Sequence, residues 1–448
     1  MLSKEYEFEL KPFDNDVPES WDLVPLEKTG DVVYGIQASV ANNLKPVGTK
    51  ILTNKNITLN GQINLEKINY FELSTDRHVK TILKTGDLLF NWRSGSKEHV
   101  GKTAFFDLDG EYTHSSFILR IRTNQRVERW FLYFYLNYLR LSNYFLKLQT
   151  YAINAKFNKS ALNRLPVILP PLDEQKKIAY VLSMVQRAIA QQKQLIQTTT
   201  ELKKALMHKL FTEGLHGEKQ KETAIGLVPE SWGVVEIGSC CELSTGTTPS
   251  TKNAGYYVGN NPFIKTNQIV NSKISQAEIF VSDEAVDKYN LKIFPPGTVL
   301  VAMYGQGKTR GQVAILDIAA SITQNAGAIT PHNFIIPEFL YYYLLSQYSR
   351  LRSSGMEGHI SHLNLGFLGS FKIPLPSSID EQKKIIQIIA SLIKKIEVHA
   401  SKRDVLQDLF RTLLHQLMTA QIRVHDIDLP GFDDLVNITP QGSTQGAD

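Results

Sequence analysis

Apolar residues fall at alternating three- and four-residue spacing in two stretches of the chain. Ile178, Leu182, Val185, Ile189 and Ile196 form the first run, and Ile385, Ile389, Leu392 and Ile396 the second. Each continues further on, as Leu202, Leu206 and Leu210 and as Leu409, Leu413 and Leu417. That spacing predicts a coiled-coil-like seam along one face of a helix. Both helices start just past a proline stop, Pro166 to Pro171 and Pro374 to Pro376, at Asp173-Glu174-Gln175 and Asp380-Glu381-Gln382. Each Asp can accept from the orphan N–H groups of the first turn, and the following Glu suits the positive end of the helix dipole. From Asp173 to Phe211 the helix would run roughly 39 residues, about 58 Å, longer than helices buried in one domain. It needs a partner, and the second run is the nearest one. Polar residues interrupt the seam at Gln192 and Thr199, matched by His399 and Leu406, with Arg403 facing Ile196; such positions fix the register between two helices.

The stretch before each helix has a different pattern. Short β-branched and aromatic runs are punctuated by Gly, Asn and Pro, as in Gly86-Asp-Leu-Leu-Phe90 and Gly297-Thr-Val-Leu-Val301, which predicts a sheet-rich globular head. Each head also carries one amphipathic aromatic helix, from about Glu128 to Tyr144 and from about Pro337 to Arg350. The fold class is mixed α/β (α+β): two globular domains and two long helices.

The chain repeats itself once. Val17-Pro-Glu-Ser-Trp21 recurs 211 residues on as Val228-Pro-Glu-Ser-Trp232, and Asp173-Glu-Gln-Lys-Lys-Ile178 recurs 207 residues on as Asp380-Glu-Gln-Lys-Lys-Ile385. Fainter echoes lie between, Gly101-Lys-Thr-Ala-Phe-Phe-Asp107 against Gly311-Gln-Val-Ala-Ile-Leu-Asp317 and Phe131-Leu-Tyr-Phe-Tyr-Leu136 against Phe339-Leu-Tyr-Tyr-Tyr-Leu344. The drift in offset means that loops differ in length. The expected layout is a first head at 13–171, a helix at 172–215, a polar linker at 216–227, a second head at 228–378, a second helix at 379–424 and a disordered tail at 425–448. Paired antiparallel, the helices would hold the heads apart as a ruler with approximate two-fold symmetry. Duplex DNA shares that symmetry, and its dimeric readers space their heads by roughly 34 Å.

Composition narrows this only a little. The 448 residues are 42% hydrophobic and 21% charged, ordinary values for a globular protein of two to four domains. No apolar run is long enough to span a bilayer and the first residues lack the plan of a signal peptide, so the expected location is the cytoplasm. The two cysteines, Cys240 and Cys241, are adjacent, which suits buried hydrophobes better than a zinc site. A net charge of +5 permits nucleic-acid binding without requiring it.

The order of head, Pro-Leu-x-Glu-Gln helix, head and Glu-Gln helix resembles the specificity subunits of type I restriction-modification systems. The words that carry the resemblance are Leu169-Pro-Pro-Leu-Asp-Glu-Gln-Lys-Lys-Ile178, Leu375-Pro-Ser-Ser-Ile-Asp-Glu-Gln-Lys-Lys-Ile385, the Val-Pro-x-x-Trp starts at Val17 and Val228, and Leu243-Ser-Thr-Gly-Thr-Thr-Pro249. Asn42-Asn-Leu-Lys-Pro46 departs from this last pattern in the first head. The resemblance implies two target recognition domains, each reading one half of a split sequence in double-stranded DNA. It also implies two modification (methyltransferase) subunits docked on the helices, with restriction subunits as further partners. S-adenosylmethionine would belong to the methyltransferase, ATP and Mg to the restriction subunit, and no cofactor to this chain.

A search for chemistry of the chain's own supports a non-catalytic role. Asn261-Pro-Phe263 lacks the second proline of the word that grips a flipped adenine in methyltransferases. Tyr304-Gly-Gln-Gly-Lys-Thr309 has Ala302 where a phosphate-binding loop needs glycine. His359-Ile-Ser-His362 has no acidic residue in a zincin-like position, so no metal site is expected. The residues suited to DNA lie in loops after the repeated strands: Asn91, Arg93, Ser94, Ser96 and Lys97 in the first head, and Tyr304, Gln306, Lys308, Thr309 and Arg310 in the second. A second strip, Tyr112 to Phe117 with His114 and Ser115, aligns with Ile322 to Gly327 carrying Gln324 and Asn325. Lys265, Asn267, His359 and His362 complete the set. No Asp or Glu occurs from Thr298 through Leu316, which makes that loop locally positive. Two other readings stand beside this one: a self-contained methyltransferase with fused recognition domains, and a duplicated scaffold that binds no DNA.

Overall fold

In a computed structural model the chain forms two compact units, one built from residues up to 191 and from 402 onward, the other from 192–401. The structure describes residues 18–37, 44–151, 158–305, 308–353, 363–425, 428, 429 and 432, except the side chains of 97 and 149–151.

The first unit holds a four-stranded antiparallel sheet. Strands β1 (Gly30–Tyr34), β3 (Leu88–Asn91), β4 (Thr103–Phe105) and β6 (Ile118–Thr123) lie in the order β1-β6-β3-β4. A second sheet contains β2 (Thr49–Leu52) and β5 (Tyr112–His114), which pair in parallel. Helix α1 (Arg129–Leu141) buries every residue from Phe131 to Leu139. The helix is amphipathic as expected, but its polar face is covered too, Asn137 donating to the Thr103 and Tyr133 carbonyls. One core cluster joins α1 to Leu88 and Phe90 of the sheet and to Ile178, Leu182, Leu414 and Leu417 of the long helices.

The second unit repeats this frame. Strands β7 (Cys241–Thr245), β9 (Val299–Ala302), β10 (Val313–Leu316) and β12 (Ala326–Pro331) form a sheet in the order β7-β12-β9-β10, extended by Ser272–Ile274. Beside it β8 (Asn261–Ile264) pairs in parallel with β11 (Ser321–Ile322). Helix α3 (Pro337–Ser346) is buried from Phe339 to Leu344. The cysteines are buried and free, as small hydrophobes are.

The long helices are α2 (Leu172–Glu213) and α4 (Ile379–Met418), and α2, at 42 residues, is roughly 63 Å long. In the first unit the front of α2 shares a core with the back of α4, Ile178 and Leu182 with Leu414 and Leu417. In the second, Leu210 and Phe211 share one with Ile385 and Ile389. Low numbers thus meet high numbers in both units, and the helices run antiparallel. Each unit owns the front of one helix and the back of the other, rather than one whole helix as the repeat boundaries suggest.

Most of the expected seam is inside. Ile189 and Leu392 are buried, and Val185, Leu206, Ile396 and Leu413 are half-buried. Leu202 and Leu409 are corrections, at 53% and 44% exposed. Steps of exactly four drift off a face with 3.6 residues per turn, and the buried line passes instead through Met207 and Leu414. The polar break at Gln192 is a cross-helix bond, 2.8 Å between its Oε1 and His399 Nδ1.

The repeated words have identifiable tasks. Gln175 is buried, accepts from the Glu128 N–H at 2.9 Å, and donates to the Pro170 and Arg126 carbonyls. Gln382 likewise accepts from Ile336 N–H and donates to the Phe334 carbonyl. Each amide pins the start of a long helix to the start of the aromatic one. Asp173 and Asp380 are not caps, because the helices begin one residue earlier; each sits in the first turn and pairs with a lysine three residues on. Trp21 donates to buried Glu174, which also takes a two-pronged bond from Arg423 at 2.6 and 2.7 Å. Residues 216–227 are not an open linker, since Gln220–Thr223 and Gly226–Pro229 form an antiparallel hairpin. The tail from 425 lies almost wholly outside the described residues.

Candidate nucleic-acid interface

In each unit the turn after β3 or β9 meets the turn after β5 or β11 at one end of the sheets. In the first unit Trp92 N–H donates to the Phe117 carbonyl and its indole Nε1 to the Ser116 carbonyl at 2.6 Å. In the second, Met303 N–H donates to the Asn325 carbonyl at 3.0 Å. A third turn closes over each pair. At Gly35 a Cβ would stand 2.2 Å from the His114 carbonyl oxygen, and at Gly246 only 1.7 Å from that of Ile322. Only glycine lets the backbone pass so near. Gly246 belongs to the Ser-Thr-Gly-Thr-Thr-Pro word, and its neighbour Thr248 bonds Thr323 Oγ1 at 2.9 Å. The first head's counterpart is therefore Tyr34-Gly35-Ile36, not the stretch at Asn42, which is partly outside the described residues.

These bonds also correct an alignment. Ser115 N–H donates to Leu52 and Thr323 N–H to Ile264, at matching places on β2 and β8. His114 thus corresponds to Ile322 and Phe117 to Asn325, two residues away from the sequence-based match. The cause is length: six residues separate β4 from β5, and four separate β10 from β11.

The expected DNA-facing residues divide accordingly. Arg93 is exposed, its guanidinium 5.7 Å from the centre of the Phe117 ring. Ser96 is exposed, and Ser94 is half-buried and accepts from the Ser96 N–H. In the second head Asn267, Tyr304, Lys308 and Gln324 are exposed, while Lys265, Thr309, Arg310 and Asn325 are half-buried on the same edge. Lys265 Nζ stands 5.4 Å from the Tyr257 ring centre, and Tyr348 Oη donates to the Lys308 carbonyl at 2.7 Å. Gln306, His359 and His362 lie outside the described residues, as does the side chain of Lys97.

Three assignments are overturned by burial. Asn91 is fully buried and spends its amide on the His99 carbonyl at 2.7 Å, bracing the loop from within. His114 is fully buried, with Nδ1 3.2 Å from the Ile118 carbonyl. Burial pushes its pKa down to about 3, so the ring is neutral at pH 7. Ser115 is buried as well. None of the three can reach a base edge. All sit where strand gives way to turn, and polarity alone does not distinguish the last buried strand residue from the first exposed loop residue. Thr248 was the residue missed, although it lies inside a word already singled out.

Other chemistry finds little support at the named positions. Asn261 Nδ2 is taken up by the Val281 carbonyl and by Asp283 at 2.8 Å, so it is not poised to hold a base. Among the described residues no group of three or more His, Cys, Asp or Glu side chains could hold a metal ion. No described helix is long and apolar enough to cross a membrane.

Residues 18–201 and 229–408 each match the type I restriction modification DNA specificity domain. The chain belongs to that family. It is 27% identical over 418 residues to a putative type I restriction enzyme MjaX specificity subunit of Methanocaldococcus jannaschii, covering 91% of this chain and 95% of that one. The MjaVIII specificity subunit of the same organism is 27% identical over 300 residues, 65% of this chain and 70% of that protein. Among solved structures, the S subunit of a type I system from M. genitalium superposes with a TM-score of 0.56 at 15% identity over 91% of this chain and 98% of that one. A chain from a structural study of type I complex assembly and conformational transition gives the same score at 17% identity, covering 91% of this chain and all of that chain. At such identities the likeness establishes the shared fold. Each matched stretch spans one head of the repeat together with most of the long helix that follows it.

Proposed function

We propose that this specificity subunit reads a split, asymmetric target in double-stranded DNA, one half per head, and has no catalytic centre of its own. One observation carries the proposal: the same backbone frame, closed over Gly35 in one head and Gly246 in the other, presents different exposed side chains. Arg93 and Ser96 stand on the first edge, and Asn267, Lys308 and Gln324 on the second. Such groups read base edges and phosphates, and unlike sets read unlike half-sites. The antiparallel helices would fix the spacing between the halves. Apolar Leu202 and Leu409, exposed on those helices, would help to dock two modification subunits, which would bring S-adenosylmethionine and the adenine-methylating chemistry. Restriction subunits with ATP and Mg would join through them.

The test is to map methylated adenines in a host that makes the chain with its modification subunits. Arg93→Gln should alter or relax only one half of the methylated motif, and Gln324→Ala only the other. A single undivided motif, or both halves changing with either variant, would overturn the proposal.

A further inference from the structure

A fourth turn leaves the reading end of each head. Strand β2 runs parallel to β5, and β8 to β11, so the turns that follow β2 and β8 emerge beside the edge already described. Lys265 and Asn267 stand in the turn after β8, and the sequence names no counterpart in the first head. The backbone supplies one. Ser115 N–H donates to the Leu52 carbonyl and Thr323 N–H to that of Ile264, which matches Leu52 with Ile264. Just beyond, Asn56 N–H donates to the Thr53 carbonyl at 2.9 Å and Gln268 N–H to the Lys265 carbonyl at 3.0 Å, closing the same tight turn. Burial follows one course in both: two buried strand residues, two half-buried ones, an exposed tip, and soon after it the buried Ile57 or Ile269. The tips are Lys55 and Asn267.

In each turn the residue after the tip is an amide that fastens the loop. Asn56 Oδ1 accepts from the Thr53 N–H and hydroxyl, both at 2.9 Å, and its Nδ2 donates to the Asn64 carbonyl at 2.9 Å. Gln268 Nε2 donates to the Gln276 carbonyl at 3.4 Å, also eight residues on. The first head adds a buried ammonium, Lys102 Nζ, which donates to the Asn54 and Ile57 carbonyls at 3.1 and 2.6 Å. Gln312 holds that place in the second head, since Asn91 N–H bonds the Lys102 carbonyl as Ala302 N–H bonds that of Gln312. The two tips thus ride on matching, fastened turns and differ in the side chain presented.

We infer that 55 and 267 are one specificity-determining position used twice, Lys55 contacting a guanine in the first head's half-site and Asn267 an adenine in the second's. This rests on the DNA-reading function proposed above. In the major groove guanine offers two acceptors, O6 and N7, to which an ammonium can donate; adenine offers a donor and an acceptor, which one carboxamide matches. A side chain carried on a fastened turn also loses less freedom on binding. Lys102 is a positioning residue, acting through the Asn54 and Ile57 carbonyls.

The experiment uses the full chain with its co-purified modification subunits. The methylated motif is mapped first, and binding is then measured to duplexes that carry the motif with one base pair changed at a time. Lys55→Ala should lower discrimination at one G·C pair by about 5- to 150-fold, in the same half of the motif that Arg93→Gln alters. Asn267→Ala should do so at one A·T pair of the other half. Lys55→Asn should shift the preference at its pair from guanine to adenine, and Asn267→Lys the reverse. Both tips are exposed, so neither exchange disturbs packing. Lys102→Gln should relax the pair that Lys55→Ala relaxes and no other; loosening along the whole half-site would make Lys102 merely structural. Discrimination unchanged at every pair in Lys55→Ala, with only a flatter slope of log K against log salt, would make Lys55 a phosphate contact and overturn the inference while DNA reading stands. A wild-type complex with an undivided motif would instead defeat the proposed function itself.

Discussion

The two heads share a frame and differ in what they bury within it. The pairing of Leu88 with Ile121 in the first and of Val299 with Ile329 in the second puts Asp87 in register with Thr298, and Arg122 with Thr330. Asp87 is buried and accepts from Arg122 at 2.7 and 2.8 Å, with Arg120 buried beside it; in the second head two threonine hydroxyls face each other at 3.4 Å. Arg120 becomes Ala328, His114 becomes Ile322 and Asn91 becomes Ala302. The first interior leaves polar atoms without hydrogen-bond partners, among them Arg120 Nε, His114 Nε2 and Asn91 Oδ1. The same strand frame thus tolerates a charged interior or an apolar one. What it does not tolerate in the first head is half of an ion pair, because a buried charge stripped of its partner is far costlier than two replaced together.

The sharpest way to break this contrast is Asp87→Ala, which takes both carboxylate bonds from Arg122 and leaves buried Arg120 with Asp31 alone, and should cost about 3–5 kcal/mol. Thr298→Ala should cost only about 1 kcal/mol. Urea unfolding followed by tryptophan fluorescence suits the first head, which holds Trp21, Trp92 and Trp130, three of the four tryptophans. Equal losses from the two variants would erase the difference.

Next in size are the glutamine pins. Gln175→Ala and Gln382→Ala each leave buried backbone groups unbonded, for about 2–3 kcal/mol apiece. Similar values in the two heads would show that the contrast is confined to the sheet interiors. A loss in one head alone would extend it to the helix junctions.

The smallest effect is a slope with pH. His114 falls to about 3 when folded, from an ordinary 6.5, so between those values the unfolded chain binds more protons and stability declines as pH drops. Burial raises Glu128 from 4.5 to about 7, so over that window the folded chain holds the extra proton and stability rises as pH drops. The two oppose each other between 4.5 and 6.5, where the first head should show little net slope from this pair. His114→Ile, borrowing the second head's residue, removes one arm and should expose a gain of about 1.4 kcal/mol per unit of acidification in that interval. Calorimetric or urea titrations at several pH values would check it, and a variant that stays flat would show that the pair is not in balance.

The sequence made the scaffold legible because its repeated words perform the same buried task twice. Trp21 and Trp232 fill equivalent cores, and Gln175 and Gln382 hold equivalent helix starts. The interiors were not legible, since Asp87 and Thr298 or Arg120 and Ala328 carry no common letter to align. Nor was the edge of the site, where a two-residue difference in one connection slid the expected match and put buried His114 among the DNA-facing residues. The seam was readable near both ends of each helix, where large apolar side chains repeat. It was misread at Leu202 and Leu409, where a regular four-residue step left the buried face.

Gly35 and Gly246 set a limit on how such a protein can change. Exposed side chains such as Arg93 and Lys308 stand on the edge proposed to read DNA, and exchanging them would alter preference while the chain still folds. A methyl group at either glycine would collide with a main-chain oxygen, which no rotamer change relieves. Substitution there would separate the three turns that compose the edge. New preferences must therefore be acquired around these two fixed points and never through them.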